Sequence, residues 1–368
     1  MELAERYSGL DRALHRLAFA TAEMQVELAG LEDRTYRNAL ANTPVNRPVF
    51  ITGLPRAGTT LLLQLTSALE EFASHSYRDM PFVLLPMFWN SFSRRFRQDR
   101  PPTERAHGDG MLVDLDSAEA FEEMLWKVKW PEHYEPDRIV PWGAFDDPEP
   151  AEALTSHMKK VIRLRQRRRE IVPRYVSKNN GNIARTEYLR CCWPEAVIIV
   201  PVREPVQHAA SLLRQHRKFL ELHGRDGFSR EYMQGIGHFD FGANLRPIDF
   251  DGWLSTAEHT DARTIGFWLE YWVAAYGWLN EHAAAVHFLP YDHFCADPDR
   301  GLRWLADVLD IKDRQGLTTK RGEIRSPPSH PVDLTSVAPS VLGRASELYR
   351  AFLRRSELIP TLDQERSK

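Results

Sequence analysis

The chain has 368 residues, 43% of them hydrophobic and 27% charged, and its formal net charge at pH 7 is -3. This composition is sufficient for a large globular core and excludes a disordered or fibrous chain. Acidic and basic side chains nearly balance, so no overall charge attracts the chain to nucleic acid or to an anionic membrane. We therefore predict that nucleic acid is not a partner and that any anion site is local.

The first forty residues carry apolar side chains at helical spacing, which predicts helices packed on a larger domain. These positions are Leu10, Leu14, Leu17, Met24, Leu28 and Leu31. The same segment mixes charges of both signs and lacks the apolar centre of a secretion signal. No apolar run in the sequence approaches the roughly 18 residues that span a bilayer. We expect a cytoplasmic protein without a transmembrane segment.

Short apolar runs that predict β-strands recur along the chain at 49–51, 175–176, 196–200 and 285–289. The segments between them are long enough for one or more helices. Such alternation predicts an α/β fold with a mainly parallel, P-loop-like sheet flanked by helices.

The predicted domain organisation has three parts. We expect a helical preface over residues 1–46, an α/β domain over 47–325 and a helical tail over 326–368 that packs on the domain. Two stretches with little periodicity, 80–150 and 224–250, are predicted to be long loop insertions that contact the substrate, because connecting loops carry most binding residues.

The segment TGLPRAGTT, residues 52–60, lies between a predicted strand and a predicted helix. Backbone N–H groups in such a loop, together with a helix N-terminus, bind anions. A Walker A loop requires Lys after the second glycine, where Thr59 stands here. The cation is instead Arg56, and the hydroxyls of Thr59 and Thr60 donate to an anion without a metal. The alternative is a tight turn capped by Thr59.

A second candidate anion site follows the strand at 196–200. The strand ends in Arg203, a helix opens at Pro205, and Ser211 lies eight residues beyond the arginine. An arginine and a serine so placed can hold a phosphate, whereas a magnesium-dependent NTPase more often has an aspartate at this strand end. A surface ion pair of Arg203 with Glu204 is the alternative.

Together these two motifs resemble the sulfotransferase family. TGLPRAGTT is similar to the family's 5′-phosphosulfate loop, and VREPVQHAAS is similar to its 3′-phosphate motif. The resemblance covers about residues 48–310 and implies 3′-phosphoadenosine 5′-phosphosulfate as the donor, with no metal. The residues it implies for donor binding are Arg56, Ala57, Gly58, Thr59, Thr60, Arg203 and Ser211.

Two further segments follow the family's order. YVSKNN resembles a strand whose lysine, here Lys178, approaches the transferred group, and AVHFLPYDHF resembles a strand whose tyrosine, here Tyr291, contacts the nucleotide. Arg56 stands where well-known soluble members have Lys, as in glycan- and tyrosine-directed branches. This departure disfavours a simple phenol as the acceptor. We expect a hydroxyl of a glycan, a lipid-like alcohol or a tyrosine, and the sequence leaves this choice and the oligomeric state open.

A hydroxyl acceptor must lose its proton as it attacks, which requires a carboxylate or histidine within hydrogen-bond reach. Asp79, after the phosphate-loop helix, is the predicted base, and His75 is the second candidate. The alternative for Asp79 is a helix cap or a salt bridge with Arg78. Arg56 and Lys178 complete the predicted catalytic set by stabilising negative charge.

Two other functions share part of this pattern. An ATP- and magnesium-dependent P-loop kinase has the same strand, loop and helix, but Thr59 and Arg203 argue against it. A non-catalytic nucleotide-binding protein of the same fold is the other alternative. The cysteines form no CxxC pair and the fourteen histidines show no HExxH spacing, so we predict no metal.

Overall fold

The computed structural model describes residues 7–94, 103–104, 112–113, 117–144, 149–282 and 285–359. The α-helices in these residues are α1 Gly9–Ala20, α2 Ala22–Thr35, α3 Arg37–Ala41, α4 Thr59–Ser67, α5 Pro86–Ser93, α6 Glu123–Lys129, α7 Glu149–Arg165, α8 Thr186–Cys192, α9 Pro205–Arg225, α10 Gly227–Gly235, α11 Ile265–His282, α12 Tyr291–Ala296, α13 Pro298–Leu309, α14 Arg314–Thr318 and α15 Pro339–Arg355. The strands are β1 Val49–Ile51, β2 Phe72–Ala73, β3 Thr103–Glu104, β4 Leu112–Val113, β5 Arg174–Lys178, β6 Val197–Val202 and β7 His287–Pro290.

Five strands form one parallel sheet in the order β2-β5-β1-β6-β7. The short strands β3 and β4 pair separately and antiparallel. Helices flank the sheet on both faces, so the predicted α/β class with a mainly parallel, P-loop-like sheet is confirmed. The four predicted strands correspond to β1, β5, β6 and β7.

The sheet separates two hydrophobic cores. Phe50 of β1 packs into one core, while its neighbours Val49 and Ile51 pack into the other. Alternate side chains of a strand point to opposite faces, and a parallel strand covered on both faces is apolar throughout. All six residues of β6 are accordingly buried.

The sheet register brings the carboxyl ends of the strands together. Ile51 at the end of β1 pairs with Lys178 of β5 on one side and with Ile199 of β6 on the other. On the next strand, Val202 pairs with Pro290. Ligands of open α/β sheets bind at this edge.

The N-terminal helices contact the rest of the chain through the face opposite to their leucines. Five of the six predicted apolar positions are exposed, while His15, Gln25 and Glu32 on the other face are buried. The polar groups are accommodated because they are bonded there: Lys160 Nζ lies 2.8 Å from Glu32 Oε2, and Gln25 Nε2 donates to the Ala18 carbonyl.

At the other end of the chain, α15 packs against α11 and β7. Phe352 is fully buried there, with its ring against Tyr276 and Phe288. The predicted limits of preface, domain and tail stay a prediction, and residues 1–6, 360–368 and parts of 80–150 lie outside the described residues. None of the described helices is long and apolar enough to cross a membrane.

Candidate active site

The loop of residues 52–60 connects β1 to α4, as predicted, and its Gly58 has a backbone conformation that other residues rarely adopt. Gly58 has φ +100°, in the left-handed region, and directly precedes α4. A Cβ at this position would lie 2.1 Å from Cε2 of Tyr291. The missing side chain therefore allows the Tyr291 ring to lie against the loop.

Three side chains from the sheet edge and the helices behind it hold this loop. His208 Nε2 donates to the Pro55 carbonyl at 2.8 Å, and Arg203 Nη1 donates to the Arg56 carbonyl at 2.9 Å. Trp272 Nε1–H donates to His208 Nδ1 at 3.2 Å, which places the imidazole proton on Nε2. Burial, together with the charges of Arg203 and Arg56, lowers the pKa of His208 to about 3, so the ring is neutral at physiological pH.

A cavity of about 340 Å³ opens over the loop. Four cationic side chains line it, with four hydroxyl side chains and one phenol between them. These residues are Arg56, Lys178, Arg203 and Arg325, then Thr59, Thr60, Ser211 and Ser326, and Tyr291. Among the described residues, no aspartate or glutamate lines the cavity. The arrangement is suited to an extended polyanion.

The two motifs predicted from sequence meet in this cavity. Arg56 Nε lies 3.5 Å from Ser211 Oγ, although 155 residues separate them along the chain. Arg203 is the residue that follows β6, and Lys178 is the last residue of β5. Each of these side chains therefore reaches the site from the end of a strand or from the helix after it.

Another part of the cavity is lined by His238 and Phe241, which follow α10. His238 Nε2 lies 3.5 Å from Asp240 Oδ2, which also accepts from Asn180 Nδ2 at 3.0 Å. The amide oxygen of Asn180 accepts in turn from Thr59 at 3.5 Å. Polar contacts thus connect the imidazole to the start of α4.

The electrostatic surroundings of His238 keep it neutral. Burial lowers its pKa, the Asp240 carboxylate opposes that shift, and the Lys178 ammonium adds to it. A neutral imidazole accepts a proton, which is the state that a general base requires.

The structure does not bring Asp79 and His75 to the cavity. Asp79 Oδ2 accepts from Arg165 at 2.5 Å and from the Ser76 N–H at 3.0 Å, and it lies 3.3 Å from His75 Nδ1. His75 Nε2 lies 3.2 Å from His157 Nε2. Burial alone would raise the pKa of Asp79, but Arg165, His75 and the Ser76 N–H together hold it well below its usual range.

Sequence reasoning missed several residues of the cavity and its contacts. Asn180 follows the predicted lysine by two positions, and His238 and Phe241 lie in the predicted insertion 224–250. A histidine followed two residues later by an aspartate was the available signal. Arg325 lies at the predicted border between domain and tail, and the cavity lining continues across it to Pro328. No described residue of 80–150 lines the cavity.

Within the described part of the chain, one group of possible cation ligands lies outside the cavity, at Glu258, His259 and Glu270. Both ring nitrogens of His259 are already engaged, Nδ1 with Glu270 at 2.5 Å and Nε2 with the Ser336 carbonyl at 2.9 Å. The group therefore acts as an ion pair that fixes the segment before α15.

Comparison with known structures finds sulfotransferases. A sulfotransferase from Mycobacterium tuberculosis shares 16% identity, with 87% of this chain and 81% of that chain covered and a TM-score of 0.46. One from Mycobacterium avium shares 14% identity, with 96% and 87% covered and a TM-score of 0.48. The sulfotransferase domain of the Synechococcus olefin synthase shares 11%, with 84% and 96% covered and a TM-score of 0.40. No curated protein sequence matches the chain significantly.

A sequence model described as the sulfotransferase family matches residues 48–237, just over half of the chain. The match contains the loop at 52–60, Lys178, Arg203 and Ser211, the residues that meet in the cavity. The chain belongs to the sulfotransferase family.

Proposed function

We propose that the protein transfers the sulfuryl group of 3′-phosphoadenosine 5′-phosphosulfate to a hydroxyl of its acceptor, without a metal. The observation that carries the proposal is the charge of the cavity: four cations line it, and no carboxylate does among the described residues. A polyanionic donor that needs no magnesium fits such a lining. Membership of the sulfotransferase family supports the same reaction.

The donor's two anionic ends have separate partners. Arg56, Thr59, Thr60 and the N-terminus of α4 suit the 5′-phosphosulfate. Arg203 and Ser211 suit the 3′-phosphate, and Arg325, which sequence reasoning missed, adds a cation to the same cavity.

In the proposed reaction the acceptor oxygen attacks sulfur in line with the leaving phosphate. A new S–O bond forms as the bond from sulfur to the phosphate oxygen breaks, and 3′-phosphoadenosine 5′-phosphate leaves with the electron pair. Arg56 and Lys178 stabilise the charge that develops on the equatorial and leaving oxygens. Positioning and cationic stabilisation are therefore the main contributions of the protein.

We assign the acceptor's proton to His238 rather than to the predicted Asp79. His238 lines the cavity and its lowered pKa keeps it able to accept a proton. Asp79 is buried, bonded to Arg165 and outside the cavity lining. Asp240 orients the imidazole from 3.5 Å.

The kinase alternative makes the opposite demand on the site. ATP with magnesium requires a carboxylate near the phosphates to hold the ion. Calorimetric titration with 3′-phosphoadenosine 5′-phosphate, compared with ATP plus magnesium, therefore tests the proposal. We expect metal-free binding of the bisphosphate; binding only of ATP with magnesium would overturn it.

The first variant to titrate is Arg203→Ala. Because Arg203 lines the cavity and supports the loop through the Arg56 carbonyl, we expect the bisphosphate to bind at least ten-fold more weakly, the loss of one charged hydrogen bond. Arg217→Ala, an exposed arginine on the following helix α9, is the matched control and should bind normally. Equal affinity of the two variants would contradict the assignment.

The second variant is His238→Gln. We expect transfer to fall by 10²-fold or more while bisphosphate binding is unchanged, because general-base catalysis contributes about that much. In the unaltered protein kcat/KM should decrease only when the pH falls below 6.5, because His238 must be unprotonated to act as the base and its pKa is lowered. His293→Gln, on the exposed side of α12, is the control. Full transfer by His238→Gln would remove the histidine from this role.

A further inference from the structure

Large apolar side chains are exposed mainly on the two N-terminal helices. Seven such residues are exposed in the described part of the chain, and five lie on α1 and α2. Their exposed fractions are 80% for Leu10, 55% for Leu17, 55% for Met24, 38% for Leu28 and 51% for Leu31. We call this face the leucine stripe. An apolar face of this extent on a soluble protein marks an interaction surface.

The opposite face of the same helices carries the polar residues and is fixed in place. Glu32 is fully buried, with Oε2 2.8 Å from Lys160 Nζ and Oε1 accepting the Phe88 N–H at 2.7 Å. The ring of His15 contacts those of Phe228 and Tyr232 on α10. The helices therefore cannot rotate to bury the stripe against the domain.

The stripe runs without interruption along both helices. At Thr21, between α1 and α2, the helical hydrogen bonds continue: Thr21 N–H donates to the Leu17 carbonyl and Gln25 N–H to the Thr21 carbonyl. Residues 9–35 thus form one slightly bent rod of about 40 Å at 1.5 Å per residue.

The spacing of the stripe indicates what covers it. Leu10, Leu17, Met24 and Leu31 follow one another at intervals of seven residues. A seven-residue apolar repeat over three to four heptads is the pattern of a helix that packs along a second helix. A flat apolar or lipid surface does not require this period.

We propose that the leucine stripe binds the same stripe of a second copy of this chain, with the two helical rods antiparallel about a two-fold axis. A two-fold interface must be self-complementary. When the rod is reversed about its middle, Leu10 comes opposite the partner's Leu31 and Leu17 opposite the partner's Met24. Ala13 comes opposite the partner's Leu28, so each bulky residue meets an apolar residue.

The residues at and beside the axis fit the same arrangement. Ala20 and Thr21 lie at the centre, where small side chains allow two helices to approach closely. Of the charged residues beside the stripe, Glu27 comes opposite the partner's Leu14, and Arg16 pairs with Glu231 of its own chain at 2.7 Å. Like charges are therefore not brought face to face.

A membrane surface is the other possible cover, and the charges disfavour it. Helices that lie on anionic lipid carry Lys and Arg beside the apolar face. Here the exposed charged residues beside the stripe are of both signs, Arg16 and Arg34 as well as Glu23 and Glu27, so there is no excess of basic residues. The proposal accordingly commits to a second copy, and vesicle binding is one outcome of its test.

Sedimentation of the full chain over a range of micromolar concentrations tests the interface. We expect the unaltered chain to be a dimer. The double variant Leu17→Glu, Met24→Glu should be a monomer with unchanged bisphosphate affinity. Val172→Glu, another apolar position that is 43% exposed, is the matched control and should remain dimeric. A monomer at all concentrations, or a dimer that survives the double variant, would overturn the proposal.

Cysteine cross-linking tests the antiparallel arrangement, in a background with Cys191 and Cys192 replaced by Ser. Ala20→Cys should cross-link between copies, because it lies beside the axis. Leu10→Cys alone should not, whereas a mixture of Leu10→Cys and Leu31→Cys chains should. Cross-linking of Leu10→Cys with itself would show parallel rods, and sedimentation of the chain with anionic vesicles would show a lipid surface; either result overturns the proposal.

Discussion

His208 shows how one buried side chain fixes the geometry of the phosphate loop. Its two ring nitrogens have different partners, the Pro55 carbonyl and the Trp272 indole. Each bond requires the neutral tautomer with its proton on Nε2, and burial favours the neutral form. The histidine touches the loop but does not line the cavity, so it is a positioning residue.

Replacing this histidine should therefore weaken donor binding without removing a contact to the donor. We expect His208→Ala to bind 3′-phosphoadenosine 5′-phosphate about ten-fold more weakly, because the Pro55 carbonyl and the Trp272 N–H lose their buried partner. His208→Gln, which offers a donor and an acceptor, should restore most of the affinity. Calorimetry at pH 7 measures the affinity of both variants. An equal loss of affinity in the two would indicate that the histidine acts only by filling space.

At the scale of elements, Asp79 joins a 3₁₀ turn to the end of α7. Its carboxylate pairs with Arg165 and caps the turn by accepting the Ser76 N–H. The sequence offered a helix cap or an ion pair as the alternative role of Asp79. The structure has both contacts, with Arg165 rather than Arg78 as the partner in the ion pair. Two segments about 86 residues apart are held together by this carboxylate.

Asp79→Asn should consequently reduce stability. We expect a loss of about 3 kcal/mol in the free energy of unfolding at pH 7, because Arg165 is left without its ion pair. The folded-state pKa of Asp79 is depressed, so its contribution is present above the unfolded value of about 3.9 and is lost as the pH falls below that value. Urea unfolding should show the same difference in free energy of unfolding between the two proteins at pH 7 and pH 5, and a smaller difference at pH 3.5.

Asp137→Asn, at an exposed position, is the control for this measurement and should unfold like the original protein. If Asp79→Asn kept full stability but lost transfer selectively, the sequence-based choice of Asp79 as the base would be supported against His238.

At the scale of the whole molecule, the C-terminal segment is part of the same body as the sheet. The cavity lining continues to Pro328, and α15 inserts Phe352 between Tyr276 and Phe288. We expect Phe352→Ala to lower the free energy of unfolding by about 3 to 5 kcal/mol, the cost of emptying a buried aromatic site.

Bisphosphate affinity should be unchanged in this variant, because Phe352 does not line the cavity. Denaturant unfolding and calorimetry on the same preparation separate the two effects. Phe92→Ala, at a phenylalanine that is 63% exposed, is the matched control and should alter neither quantity. Unchanged stability of Phe352→Ala would mean that the tail contributes little to the core.

The sheet and the residues that line the cavity at its edge were predictable because both are encoded locally. Short apolar runs mark the buried strands, and the residues that follow each run necessarily lie at the carboxyl edge of the sheet. Lys178, Arg203 and Tyr291 are found there because each stands at or next to the end of a strand, and Arg56 because it lies in the loop that follows β1.

What could not be predicted depends on contacts distant in sequence. In the sequence, a carboxylate after the loop helix looks the same whether it faces the cavity or an arginine. The arginine that pairs with Asp79 is Arg165, which lies at the distant end of α7. The N-terminal leucines show the same limit: helical period identifies an apolar face but not its partner. Buried polar bonds such as that of Glu32 with Lys160 decide which face turns inward.

The close contact of Tyr291 with Gly58 also bears on how the protein is made. Ribosomes deliver the N-terminal part of a chain first. When the loop at 52–60 emerges, the side chains that support or cover it, Trp272, Tyr291 and Arg325, are still unsynthesised. A nascent chain thus exposes the loop at 52–60 without these contacts through most of its translation, and the cavity over the loop is complete only after the last third has been added.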